Sequence, residues 1–305
     1  MRMQLVGLGL VTVLIALAPA TAWAEDTSGS LTIAEKLHLR YVEGQAVSIV
    51  DEDLLRDGDA SLRALLGYVR SADENTRRSS LVALAHLGVI AGSKTIRQAA
   101  VSALTEALRS TTKEEVGVRI AWLDSLQRFS VDDFSEDDRR TVFEFACEMP
   151  CERSVRLVAI AGVSDAVEWL STFSNQHDAK RLRWSALLAR ARLGDEGALA
   201  LVVKEARSLV ELDPMGRFSV LSKDLCFVRS PAAIDVVVDI VFHVDRRGLR
   251  VTGHAQPSAA GVILAMLIDF YPGMPVPEVG RERALYHDPV VVDRALDWLW
   301  SNRRR

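Results

Sequence analysis

Apolar residues recur along most of this chain with a period near 3.6, in paired blocks separated by short polar turns. The clearest pair is KRLRWSALLARARLGDEGALALVVKEARSLVELD, Lys180 to Asp213. Leu182, Ala186, Ala189 and Leu193 share one face of the first block. The turn Leu193-Gly194-Asp195-Glu196-Gly197 leads into a second helix, Ala198 to Val210, with Lys204, Glu205 and Arg207 outward. Small residues on the shared face predict axes about 8–10 Å apart. A hairpin of this kind cannot bury both of its faces alone, so it requires similar hairpins stacked on either side.

The rest of the chain supplies them. Leu31 to Gly44 predicts a helix, and Gln45 to Gly58, with Asp51, Glu52, Asp53 and Asp57, reads as irregular. Asp59 to Ser71 predicts a helix with Leu62, Leu65, Leu66 and Val69 inward. From Asp73 the blocks pair in order: DENTRRSSLVALAHLG with KTIRQAAVSALTEALRS, EEVGVRIAWLDSLQRFS with SEDDRRTVFEFACEMP, and ERSVRLVAIAG with SDAVEWLSTF. After the Lys180 hairpin, PMGRFSVLSKDLCFVRS pairs with PAAIDVVVDIVFHV, and QPSAAGVILAMLIDFYPG pairs across a long loop with DPVVVDRALDWLWSN. Cap residues stand where helix starts need them: Asp73, Ser135, Asp178, Asp213-Pro214, Ser230-Pro231 and Asp288-Pro289. Trp122, Trp169 and Trp184 fall among apolar neighbours and are expected in packing, and Trp298 and Trp300 are expected to seal the last hairpin.

The blocks also share a register. Arg77, Arg119, Arg156, Arg183 and Arg217 open successive first helices at spacings of 42, 37, 27 and 34 residues. Counting from Arg77 and Arg183, Leu81 matches Leu187, Ala83 matches Ala189, Ala85 matches Ala191, Leu87 matches Leu193 and Gly88 matches Gly194. A degenerate two-helix period of this length marks a helical repeat. RLRWSALLARARLGD, with its echoes TRRSSLVALAHLG and SVRLVAIAG, resembles the HEAT and HEAT-like repeats of bacterial proteins over roughly Asp59 to Gly273. That resemblance implies an all-α fold, an α-solenoid or superhelix of stacked antiparallel helix pairs, which scaffolds protein–protein contacts. One branch of such repeats contains phycobilisome lyases, and another binds two irons through repeated His-Glu dipeptides, of which this chain has none.

The organisation expected is a signal peptide over residues 1–24, a lead-in and capping helix over 25–58, helical repeats over 59–273, and a loop with a C-terminal capping helix over 274–305. Arg2, the apolar run Leu5 to Ala18, Pro19 and the small residues of Ala22-Trp23-Ala24 form a signal pattern with cleavage after Ala24. A periplasmic or secreted location follows as an expectation, with no stable membrane insertion afterwards. The net charge of −4 becomes −5 once Arg2 is removed. In an oxidising compartment Cys147 and Cys151 are a candidate local disulfide, two unrelated thiols being the alternative, and Cys226 is left over.

Chemistry is sparse. The six His form neither HExxH nor a Cys/His ligand set, and the chain has no phosphate-binding loop and no GxSxG elbow. Asp235, Asp239 and His243, at i, i+4 and i+8, are the best metal candidates, but the favoured reading is the wet side of an amphipathic helix that buries Ile234, Val237, Val238 and Val241. No cofactor is expected. The Arg clusters are offset by acidic runs in an acidic chain, which argues against nucleic acid. The loops Val244 to Ser258 and Pro272 to Asp288 are long enough to contact a partner. The reading is a non-catalytic scaffold or adaptor for an unknown protein partner, its surface lined by Thr95–Leu108, Ser135–Cys147, Ala198–Val210 and Ala232–Val244. The alternatives are a metal-binding or lyase-like enzymatic repeat protein and a structural spacer in an envelope complex.

Overall fold

The structure, a computed structural model, describes residues 32–41, 43, 51–71, 73–110, 116–176, 180–212, 218–246, 258–277, 284–286 and 288–303. The expected signal peptide, Asp178 and Asp213-Pro214 lie outside the described residues. Among the described residues the regular structure is helical throughout, with no strand. No described helix is long and apolar enough to cross a membrane.

The chain forms α1 (Ile33–Tyr41), α2 (Asp51–Arg56), α3 (Gly58–Tyr68), α4 (Glu74–Ile90), α5 (Lys94–Ser110), α6 (Val116–Leu126) and α7 (Glu136–Glu148). It continues through α8 (Glu152–Ile160), α9 (Ala166–Gln176), α10 (Lys180–Arg192), α11 (Glu196–Leu212), α12 (Phe218–Val228), α13 (Pro231–Arg246), α14 (Ala259–Leu267) and α15 (Pro289–Asn302). Three of the expected caps act through their side chains, while, among the described residues, Ser230 meets the start of α13 only through its backbone carbonyl. Asp73 accepts from Thr76 N at 2.6 Å, Ser135 and Asp138 form a reciprocal capping box, and Asp288 accepts from Val290 N at 2.9 Å ahead of Pro289.

Two expectations are corrected here. The segment Gln45 to Gly58 is not irregular throughout, because Asp51–Arg56 is helical. Asp51, Glu52 and Asp53 sit in its first turn, where the helix dipole favours negative charge. Leu54 is buried, and buried Asp53 is held 3.0 Å from Lys36 of α1. The second correction concerns the matched glycines. Gly194 is a left-handed turn residue with φ 95°, as its place after a helix predicts. Gly88 instead lies inside α4, where a Cβ would stand 2.7 Å from the Phe129 ring. One register position thus serves turn geometry in one hairpin and close packing in the other.

Packing follows a regular order. The helices α4, α6, α8, α10, α12 and α14 each lie against the next in that series, and α3 lies on α5, α5 on α7 and α11 on α13. Chain neighbours close the hairpins α4–α5, α10–α11 and α12–α13, while α7–α8, α9–α10 and α13–α14 join one hairpin to the next. α9 packs chiefly on α10. The interior forms two clusters that meet at α10: Ala186 and Ala189 belong to the one that begins at Leu37, Leu188 and Ala191 to the one that ends at Leu299. α13, enclosed by α11, α12 and α14, has Val236, Val237, Val238, Ile240 and Val241 all at 1% exposure or less. Each such side chain contributes roughly 1.5–3 kcal/mol by leaving water.

The Pro272 to Asp288 loop is partly structural. Met274 and Leu285 are buried, and Tyr286 O accepts from Ser258 N at 3.2 Å, so this stretch rests on the start of α14. Residues 247–257 and 278–283 lie outside the described set. Trp298 stands edge-on to Tyr271, whereas Trp300 touches Phe242 with 55% of its surface exposed.

Candidate binding groove

The stretch with the clearest repeat pattern also carries the candidate site. The helices α10 and α11 run antiparallel, and their open side encloses a groove of about 680 Å³. Lys180, Arg183, Trp184, Leu187 and Arg190 line it from α10, at the i, i+3, i+4, i+7 and i+10 positions of one helical stripe. Leu201, Lys204, Glu205 and Ser208 line it from α11. Burial explains which residues are left there. α11 turns Ala198, Val202 and Ala206 inward, so Leu201 is left at 55% exposure beside the cations.

One of the lining residues, Trp184, is fixed from beneath. Trp184 Nε1 donates to Asp224 Oδ2 of α12 at 2.9 Å, and Asp224 Oδ1 accepts from Arg156 Nη2 of α8 at 2.6 Å. Arg156 Nε also donates to Ser185 Oγ at 3.3 Å. The network therefore ties three first helices, α8, α10 and α12, through one 8%-exposed carboxylate. Arg156 and Arg192 stack over the Phe227 ring at 5.4 and 4.9 Å. Burial, with Arg229 nearby, pulls Arg192 down to about 10, which still leaves it charged at neutral pH.

At the far end Arg190 donates through Nε and Nη2 to Asp195 Oδ2, at 2.9 and 2.6 Å. Asp195 Oδ1 accepts from Ala198 N at 2.9 Å and caps α11. The Ala198 amide holds the Asp195 carboxyl below its usual range; burial opposes this and Arg190 adds to it. Asp133 behaves alike. Burial pushes it up, but Ser130 and Arg97, the latter at 2.9 Å, outweigh that and leave it low. Folded-state pKa values below the unfolded ones give stability that is full above the unfolded carboxyl pKa near about 4 and is lost as pH falls through the folded values. Thermal melts should therefore decline below about pH 4, and Asp195→Asn should flatten that decline.

The cations are not alike. Arg190 is neutralised by Asp195. Lys180, Arg183 and Lys204 make no ion pair among the described residues, and Glu205 is the one acid in the lining. The sequence carried a signal for this site that the expectation of a purely structural Trp184 passed over: cations at 180 and 183 flank an aromatic and a leucine on one stripe.

The other candidates are placed elsewhere. Asp239 is ion-paired with Arg303, Asp235 is exposed, and His243 lies edge-on to Phe218 at 5.6 Å between ring centroids. Among the described residues no three His, Cys, Asp or Glu gather so as to hold a metal. Cys147 is exposed in the last turn of α7, and Cys151 is the N-cap of α8, its Sγ accepting from Ser154 N at 3.4 Å. Both thiols are free in this structure, as is Cys226. Burial, with Glu144 near, pushes Cys147 up, and burial, with Asp269 near, pushes Cys226 up to about 12. A thiol reagent at pH 8 should thus modify Cys147 slowly and Cys226 only once the chain unfolds. Mass spectrometry of the labelled native protein checks this, and it also reports whether a 147–151 disulfide consumes the first pair. Comparison with protein-family models, curated proteins and solved structures returned no match.

Proposed function

We propose that this chain is an exported α-solenoid, a HEAT-like superhelix of stacked antiparallel helix pairs, that binds another protein as a scaffold or adaptor without catalysing a reaction. The observation that carries this reading is the order of helix contacts. First helices follow one another from α4 to α14, and α10 belongs to both halves of the interior. A row of this kind grows by nearest-neighbour contacts and leaves long helix faces open along its sides. The open side of α10 and α11 supplies one such face, with an exposed leucine and three cations, Lys180, Arg183 and Lys204, that make no ion pair among the described residues. The basic and apolar pattern of residues 1–24 supports export.

The test is in-cell crosslinking of the full chain followed by mass spectrometry. A discrete protein recovered in constant proportion is the expected result. Repeated recovery of no protein partner under conditions that capture known envelope complexes would overturn the reading.

A further inference from the structure

The groove between α10 and α11 combines features that narrow its occupant. Lys180, Arg183 and Lys204 ring an apolar floor made by Trp184, Leu187 and the half-exposed Leu201. With Glu205 counted, the local charge is positive on a chain whose net charge is −4. An opposing field of this kind attracts an acidic ligand and sets its orientation. From Lys180 to Arg190 the stripe spans ten residue steps, about 15 Å at the helical rise, or close to three turns of a seated helix. The walls are helices whose backbone groups are bonded internally, so the groove offers no sheet edge. An extended peptide would bring unsatisfied amides into it, whereas a helix brings its own hydrogen bonds.

We propose that the α10–α11 groove seats an acidic amphipathic helix of a protein partner, its apolar stripe on Leu187, Leu201 and Trp184 and its carboxylates toward Lys180, Arg183 and Lys204. The proposal rests on the scaffold reading above and names the chemistry of its partner. Asp224 is a positioning residue here, because it holds the Trp184 indole N–H from beneath. The groove takes more than half of its lining from a first helix, so a partner seated there would not contact second helices alone.

The experiment uses the full mature chain and a fluorescent Glu/Leu-rich peptide of about fifteen residues with leucines at i, i+3 and i+7. A scrambled peptide of the same composition, a single-stranded oligonucleotide and anionic vesicles serve as the other probes. Saturable binding is expected for the patterned peptide. Reversing two exposed cations, Arg183→Glu with Lys204→Glu, should weaken it by about tenfold or more while leaving the helical circular dichroism unchanged. Leu201→Asp should weaken it as well, and added salt should weaken it gradually. Equal binding of the scrambled peptide, equal capture of oligonucleotide or vesicles, or indifference to all three substitutions would overturn the assignment. Crosslinking the doubly reversed variant separates the two levels. A partner still captured removes the groove and spares the scaffold, and no partner with the unaltered chain removes the scaffold.

Discussion

Gly261→Ala is expected to destabilise the C-terminal third of the chain by about 3 kcal/mol, although alanine is the better helix former by about 1 kcal/mol. Gly261 lies in the first turn of α14, where its N–H donates to Ser258 Oγ at 2.8 Å. A Cβ there would stand 1.9 Å from the Leu285 carbonyl oxygen and 2.6 Å from Ser258 Oγ. The first neighbour is backbone, and the second is the hydroxyl that caps α14 by accepting from the Gly261 N–H. The Leu285 backbone would have to lift, and Leu285, fully buried, would lose its seat. Gly67→Ala is the control, with nothing within 4 Å of its Cβ on an exposed face of α3. It should stabilise by roughly 0.5–1 kcal/mol. Denaturant midpoints of the two variants should move in opposite directions; an unchanged Gly261→Ala would mean that the Leu285 stretch does not rest on α14.

The second large effect is expected at Asp224. Asp224→Ala leaves the Arg156 guanidinium, 17% exposed, without its carboxylate and the Trp184 N–H without its acceptor. Removing one member of a buried pair costs about 3–5 kcal/mol, and the slight exposure of both groups places this case near the lower figure. Asp224→Asn should cost less, because one acceptor remains. Arg156→Met combined with Asp224→Leu should cost less than the two single changes together, since no charge is then stranded. Urea unfolding of the four proteins measures the coupling. A strictly additive result would show that Arg156 and Asp224 do not act as a pair.

The helical character was legible because its signals are local. Asp73, Ser135 and Asp288 mark helix starts that any context would read alike, and the apolar period of α13 persists over several turns. α2 was not legible: six residues give too short a window for a period, and Leu54 is its one buried apolar residue. The register match of Gly88 to Gly194 did not reveal that Gly88 packs inside a helix, because its contact with Phe129 joins distant segments. The groove lay in the stretch that stood out first, yet its openness depends on tertiary choices. α9 packs chiefly on α10, and α11 buries Ala198, Val202 and Ala206 instead of Leu201. The Asp224 network had a faint local sign, an acid within the apolar run of α12, but its partners Arg156 and Trp184 lie 68 and 40 residues away.

Ordered stacking is tested most directly by residue-level hydrogen exchange on the intact chain and its Gly261→Ala variant. In a nearest-neighbour row the loss of protection should concentrate in α12 to α15 and fade toward α4. An equal loss in every helix, α4 and α5 included, would mean one closed cooperative core and would contradict the stacked array.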